Sequence, residues 1–375
     1  MPAEPRLLLH VFSTFAVGGS QLRFATLAAA FGARYRHIVI AMDGNHACAA
    51  RLAEGLDVRC QSIEVVKGTI ATLGNVRRFR RRLREIAPDV LVTYNWGALE
   101  WAMANIPRLV RHIHVEDGFG PEERTRQLPR RVLTRRLALA RSTVIVPSRT
   151  LWRIATEVWR LDERGVRYVP NGIDLGRFAA GRAAAGEPVI GTVAALRAEK
   201  NLARLLRAFR LVADALPAQL VIVGDGPERP GLEQLARDLH LDGRVRFAGH
   251  IDDPAALYRS LDVFALSSDT EQMPLSVIEA MATGLPVAST AVGDVAAMLA
   301  AENRPFVTGL DEQALAAAIL ALTRDPTLRT RLGAANRAKA EAEFGLAAMV
   351  AAWGVLFDGT ATSPQKGNAQ PPVIA

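Results

Sequence analysis

Short apolar runs alternate with longer segments of helical period, and the chain does this twice. Leu7–Phe12, His37–Ala41, Val90–Thr93, Thr143–Pro147 and Arg167–Pro170 have the length and branched apolar content of buried strands. Pro188–Val193, Gln219–Val223, Arg244–Phe247, Val263–Leu266 and Pro286–Ser289 repeat the pattern. Helical segments fall between and after them: Gly18–Phe31, Leu151–Val158, Asn201–Leu216, Asp253–Ser260, Leu275–Thr283, Glu312–Leu322, Pro326–Phe344 and Ala347–Phe357. Gly284 suits the left-handed residue that stops the helix before it. Such alternation is solved by a parallel sheet with helices on both faces. A stretch rich in Gly, Ala and Pro over 171–187 separates the two runs, so the expectation is two doubly wound domains, 1–176 and 177–344. Ligands of such sheets bind beyond the carboxyl ends of the strands, and a cleft where two such domains face each other is the expected place. Residues 359–375, with Ser363-Pro364 and Pro371-Pro372, read as a flexible tail.

Composition closes off several classes. No run of about 18 uncharged apolar residues exists, so no spanning helix is expected. Two cysteines, Cys48 and Cys60, exclude a disulfide scaffold and fit a reducing compartment. The apolar N-terminal run lacks a small-residue cleavage site, so no signal peptide is read and a cytoplasmic setting is expected. The net charge is +8 but lopsided: residues 1–176 hold 27 Lys and Arg against 16 Asp and Glu, whereas the remainder is slightly acidic. Two clusters carry the excess. One is Arg77, Arg78, Arg80, Arg81, Arg82 and Arg84, on a helix whose apolar stripe is Val76, Phe79, Leu83 and Ile86. The other is Arg124, Arg126, Arg130, Arg131, Arg135, Arg136 and Arg141. A solvated helix face is one reading. Attraction to an anionic membrane surface is the other, which makes the protein peripheral at the inner face of a cytoplasmic membrane. Nucleic acid is not expected: aromatics are 6% of residues, and no stacking, helix-turn-helix or zinc-finger signature is present.

The chemistry concentrates in Glu271-Gln272-Met273-Pro274-Leu275-Ser276-Val277-Ile278-Glu279. Two carboxylates flank a helix start. Asp269 and Thr270 are capping types, and Pro274 suits a first helical turn. The free N–H groups of Leu275 and Ser276, with the helix dipole, make an anion site. An acid on each side of that site suits a ligand with a diphosphate in the middle and a sugar at each end, since carboxylates accept strong hydrogen bonds from hydroxyls.

The segment continues Glu279-Ala280-Met281-Ala282-Thr283-Gly284-Leu285-Pro286-Val287-Ala288. It resembles the signature of retaining glycosyltransferases of family 4, which have the GT-B fold. Further matches follow in order over residues 6–357: Val17-Gly18-Gly19, His114, Val169-Pro170-Asn171-Gly172-Ile173-Asp174, Glu199-Lys200-Asn201, Val221 through Pro227, and Phe247-Ala248-Gly249. The resemblance is to members that build bacterial polysaccharides and lipid-linked glycans. It implies that sugar passes, with retention, from a nucleotide-diphosphate sugar to a hydroxyl of a glycan or lipid-linked acceptor. Glu271 would hold the transferred sugar, Glu279 the ribose, and Lys200 the departing diphosphate. Met273, Pro274, Leu275 and Ser276 would line the donor site, Gly18 and Gly19 would approach the phosphate, and His114 would contact the sugar near its anomeric centre. The helix at 345–358, with Phe344, Met349, Trp353 and Phe357, would complete the first domain.

Three departures stand out. The arginine that usually precedes the lysine is Ala195 here, with Arg197 as a substitute for it. Gln272-Met273-Pro274 replaces Gly-Phe-Gly, and Ser20-Gln21 stands where an acid often follows the glycines. The acidic loop Val115 through Glu123 is expected on the acceptor side, with Glu116 or Asp117 orienting the acceptor hydroxyl. No Asp-x-Asp, zinc spacing, phosphate loop or dinucleotide fingerprint is present, and neither metal nor cofactor is expected. A sugar-nucleotide epimerase of the same fold and a non-catalytic binder of anionic polymers are the alternatives.

Overall fold

The computed structural model describes residues 4–66, 68, 71–123, 126–179 and 186–359. Arg124 and the expected tail beyond Gly359 lie outside the described residues. The chain divides into two compact units, Met1–Pro170 with Met349–Ala375, and Asn171–Ala348. The division falls a few residues before 176. Asn171 already donates to Met273 O at 3.2 Å and Ile173 N to Phe344 O at 2.9 Å, both inside the second unit.

In the first unit the elements are β1 (Arg6–Phe12), α1 (Gly19–Phe31), β2 (Tyr35–Ala41), β3 (Val58–Ser62), α2 (Thr72–Ile86), β4 (Val90–Tyr94), α3 (Leu99–Ala104), β5 (Arg111–Val115), α4 (Pro129–Leu139), β6 (Thr143–Val146), α5 (Arg149–Arg153) and β7 (Val166–Tyr168). The sheet runs β3-β2-β1-β4-β5-β6-β7, every pair parallel. Order reverses between β1 and β4, which makes that junction the switch point. Beneath α2 and α3, Leu9, Val11, Ile40 and Leu91 pack on Phe79, Leu83 and Trp101, with the Phe79 and Trp101 rings stacked at 4.8 Å.

The second unit contains β8 (Val189–Val193), α6 (Leu202–Ala215), β9 (Gln219–Val223), α7 (Arg229–Asp238), β10 (Val245–Gly249), α8 (Ala255–Tyr258), β11 (Val263–Leu266), α9 (Leu275–Ala282), β12 (Val287–Thr290), α10 (Val295–Met298), β13 (Val307–Thr308), α11 (Glu312–Arg324) and α12 (Pro326–Glu343). Its parallel sheet runs β10-β9-β8-β11-β12-β13, with the switch between β8 and β11. Alternation along β11 explains how both faces are filled: Val263 and Ala265 join the core under α6 and α11, while Phe264 and Leu266 join the one under α9.

The last helix, α13 (Leu346–Asp358), starts in the second unit, and from Met349 onward it belongs to the first. Phe357 meets Phe31 at 5.8 Å and Tyr35 at 5.5 Å, and Asp358 accepts from Tyr35 Oη at 2.9 Å. Arg6 caps the helix end through Asp358 O at 2.6 Å, and Arg111 through Leu356 O at 2.5 Å. Phe344, expected on this returning helix, sits instead in the core of the second unit.

The first unit carries histidines where its strands read as apolar. His10 on β1 bonds Tyr94 Oη at 3.0 Å and His37 Nδ1 at 3.1 Å; His112 on β5 bonds Thr93 Oγ1 at 2.8 Å and Ser142 Oγ at 2.7 Å. Burial holds His10 and His112 well below the ordinary imidazole range and brings His37 down to about 4. These rings are neutral when folded, whereas an unfolded chain takes up their protons as pH falls through about 6.5. Their stabilisation is therefore complete above that pH and is lost on acidification towards 4, at up to about 1.4 kcal/mol per ring per pH unit. The melting temperature should fall steadily over this window, and a flat profile would contradict the assignment.

Candidate donor and acceptor sites

The residues singled out in the second unit converge at the β8/β11 switch point. The loop after β8 carries Arg197 and Lys200, and the loop after β11 carries Glu271 and leads into α9. Lys200 Nζ meets Glu271 Oε1 at 2.6 Å, and Ser268 Oγ donates to the same oxygen at 2.8 Å. Among the described residues Glu271 Oε2 receives no donor, and Lys200 keeps two N–H groups. The two loops are laced below this pair. Asp269 receives Arg204 Nη2 at 2.7 Å and Asn201 Nδ2 at 3.1 Å, and Ser267 Oγ donates to Lys200 O at 3.1 Å. Asn201, left-handed at φ 41°, also caps α6 by accepting from Arg204 N.

Pro274 is the N-cap of α9 and makes no side-chain cap bond. This corrects the capping expected of Asp269: its carboxylate is spent on Arg204 and Asn201. The amides that open α9 are consequently left without a side-chain acceptor, as an anion site needs. Glu279 lies one turn further on. Tyr258 Oη donates to its Oε2 at 2.8 Å, and burial pushes the carboxyl above its usual range while that bond pulls the other way. Met273 is buried and its carbonyl is held by Asn171. Arg197 is exposed and without an ion pair among the described residues, beside an equally exposed Ala195.

Glycines let these loops meet. A Cβ on Gly224, at φ 128°, would stand 1.8 Å from Ala194 O; one on Gly293, at φ 51°, would stand 2.3 Å from Glu271 O. Gly18 and Gly19 differ. Neither has a left-handed φ, and a Cβ on Gly19 would meet nothing within 4 Å. The protein's own packing therefore does not demand a glycine at 19, and the bare helix start of α1 stands open.

The first-unit candidates separate. His114 and Glu116 are wholly buried, and His114 Nε2 and both Glu116 carboxylate oxygens find no hydrogen-bond partner among the described residues. His114 Nδ1 bonds Thr93 Oγ1 at 2.8 Å, and its Nε2 lies 3.7 Å from Glu116 Oε2, which is 3.4 Å from Arg135 Nε. Arg135 in turn grips Glu123 through both Nη atoms, at 3.0 and 2.9 Å, with its guanidinium over Trp96 and Trp159. Asp117, unlike Glu116, lines an open pocket. That pocket, about 400 Å³, is lined by Asn95, Trp96, Asp117, Phe119, Glu122 and Arg131 among others. Arg23 of α1 clamps Asp117 bidentately at 2.7 and 2.8 Å, and Asn95 Oδ1 accepts from its N–H at 2.7 Å. Tyr258, Arg204, Arg23 and Asn95 were not singled out from sequence: each acts on a partner remote in the chain.

Two parallel-sheet units of these strand orders make up the GT-B fold. The chain belongs to the family 4, group 1 glycosyltransferases: residues 17–177 match the family described as Glycosyltransferase Family 4, and residues 177–339 match Glycosyl transferases group 1. It is 35% identical to the lipopolysaccharide core biosynthesis glycosyltransferase LpsE of Rhizobium meliloti over 48% of this chain and 53% of that protein. It is 29% identical to LpsD of the same organism over 75% and 78%. The match to the putative glycosyltransferase EpsF of Bacillus subtilis is 33% over 56% and 60%, so the chain spans little more than half the length of LpsE and EpsF. The fold is shared with Anabaena HepE in complex with UDP and glucose, at a TM-score of 0.79 and 18% identity over 94% of this chain and 100% of that one.

Gly293→Ala tests the lacing of the loops. A left-handed residue with its Cβ against the Glu271 carbonyl should cost about 2 kcal/mol or more and lower the melting temperature. An unchanged melting temperature would show that the Glu271 loop does not depend on that approach.

Proposed function

We propose that this glycosyltransferase moves a sugar from a nucleoside diphosphate donor to a hydroxyl of a glycan or lipid-linked acceptor in cell-surface polysaccharide or lipopolysaccharide assembly. The observation that carries the donor half is the Lys200–Glu271 pair beside the uncapped start of α9, with Glu279 one turn beyond. In this reading the diphosphate lies on the Leu275 and Ser276 amides. Glu279 Oε1 accepts from a ribose hydroxyl, and Glu271 Oε2 accepts from the transferred sugar. The barrier is charge separation as the diphosphate departs from an oxocarbenium-like sugar. The free N–H groups of Lys200, the Arg197 guanidinium and the helix start stabilise that leaving charge. Transfer with retention follows if the departing phosphate oxygen takes the acceptor's proton on the face it leaves. Gly18 and Gly19 open α1, in the first unit, with a bare helix start of their own. The reading assigns this positive charge to side chains and amides, and places no metal or cofactor.

The acceptor half belongs to the Asp117 pocket. Arg23 fixes that carboxylate and Asn95 the backbone N–H of the same residue; the carboxylate retains lone pairs for an acceptor hydroxyl, and Trp96 and Phe119 supply aromatic surface. His114 and Glu116 support this loop from below. A cytoplasmic protein, peripheral at the inner face of the membrane, fits the basic first unit; among the described residues no helix is long and apolar enough to cross a membrane. HepE is in complex with UDP-glucose in one solved structure, so UDP-sugars are the first donors to try.

Thermal shift and nucleotide release with a panel of nucleotide-sugars test the reading. The wild type should be stabilised by one of them. Glu271→Gln should keep nucleoside diphosphate binding and lose release by about 100-fold or more. Glu279→Gln should weaken nucleotide binding itself. A panel with neither stabilisation nor release would overturn the donor assignment.

A further inference from the structure

Helix α4 has two faces of different purpose. Arg131 and Arg135 turn inward to Glu122, Glu123 and Trp96. Leu133 and Leu137 turn outward, 56% and 65% exposed, one helical turn apart. Around them Arg126, Arg130, Arg136 and Arg141 are exposed and make no ion pair among the described residues. Val158, 43% exposed, lies beside Leu133 and Val132 in an open depression of about 480 Å³ rimmed by Arg126 and Arg136, with no acid in its lining. The other arginine-rich helix is mixed. On α2, Arg78 is bonded to Glu64 O, Arg80 to Ala104 O and Arg82 to Gln61 and Glu85, while Arg77 and Arg84 are exposed without an ion pair among the described residues.

We propose that the outer face of α4 docks on an anionic lipid surface, with Leu133 and Leu137 entering the interface and the four free arginines meeting lipid phosphates. Charge complementarity selects this occupant. Apolar side chains ringed by unpaired guanidinium groups, with no carboxylate among them, match a negatively charged bilayer surface. Unpaired like charges would set two copies of the same face against each other. The inference sharpens the membrane part of the reading above, replacing both arginine clusters by one face. It also fits a lipid-linked acceptor: Arg131, on the inner side of the same helix, lines the Asp117 pocket, so a glycan in that pocket lies about one helix diameter from the docked face.

The test uses the full chain with vesicles of phosphatidylcholine, alone or mixed with phosphatidylglycerol, and no donor or acceptor. Its failure is therefore distinct from failure of the transferase reading. The wild type should co-sediment with the anionic vesicles at low salt and be released at high salt. Arg130→Gln and Arg136→Gln should each weaken partitioning about fivefold. Leu133→Glu with Leu137→Glu should abolish it, with the melting temperature unchanged because both positions are exposed. Absence of wild-type binding, equal binding to neutral vesicles, or an unaltered leucine double variant would each overturn the proposal. So would a wild-type dimer that the double variant dissolves without change in vesicle binding.

Discussion

The contact between Lys200 and Glu271 organises the second unit's chemistry. It joins the loops that follow the two strands at the switch point, and it is made with one oxygen and one N–H, leaving capacity on both partners. An ion pair so placed is only partly buried, so its contribution to stability is modest. Its consequence is geometric. Asp269, Asn201 and Arg204 lock the same loops from beneath, and Gly293 admits the chain from β12 against Glu271 O. A carboxylate, an ammonium and an uncapped helix start are thereby held together before any ligand arrives, the preorganisation that electrostatic catalysis requires.

The first unit spends its charge differently. Arg135, Glu123, Glu116 and Arg131 form a buried cluster wrapped by Trp96, Phe119 and Trp159. Such clusters define an arrangement more than they stabilise it, since desolvation offsets much of the attraction. What this one defines is the course of the chain from β5 to α4, which leaves Asp117 at a pocket and half of the α4 arginines at the surface. On α4 the basic count thus resolves into two populations: Arg131 and Arg135 inward with carboxylate partners, and Arg130 and Arg136 outward without an ion pair among the described residues.

The parallel-sheet architecture was legible because β1, β9 and β11 are apolar runs of strand length and the helices between them keep their period. The proposed donor site could be read because Glu271 and Glu279 straddle a helix start within one stretch of chain. What escaped was whatever depends on distance in space. The short edge strand β3, half exposed and containing Arg59 and Gln61, has no apolar signature. Tyr258 is an unremarked residue until it meets Glu279. His114 and Glu116 stood out because a His and an acid follow a strand, but their burial and the nearness of Glu116 to Arg135 had no sequence signal. Asp117, one position on, is held by Asn95 and Arg23, partners that lie far away in the chain.

The return of α13 bears on how the protein is made. Phe357 and Asp358 fill and cap the first unit against Phe31, Tyr35, Arg6 and Arg111, yet they are synthesised after every residue of the second. A ribosome therefore releases the second unit with all its parts while the first still lacks its closing helix. The later-synthesised half can mature before the earlier one, and until α13 is made His10 and Phe31 present an uncovered aromatic surface for chaperones to guard.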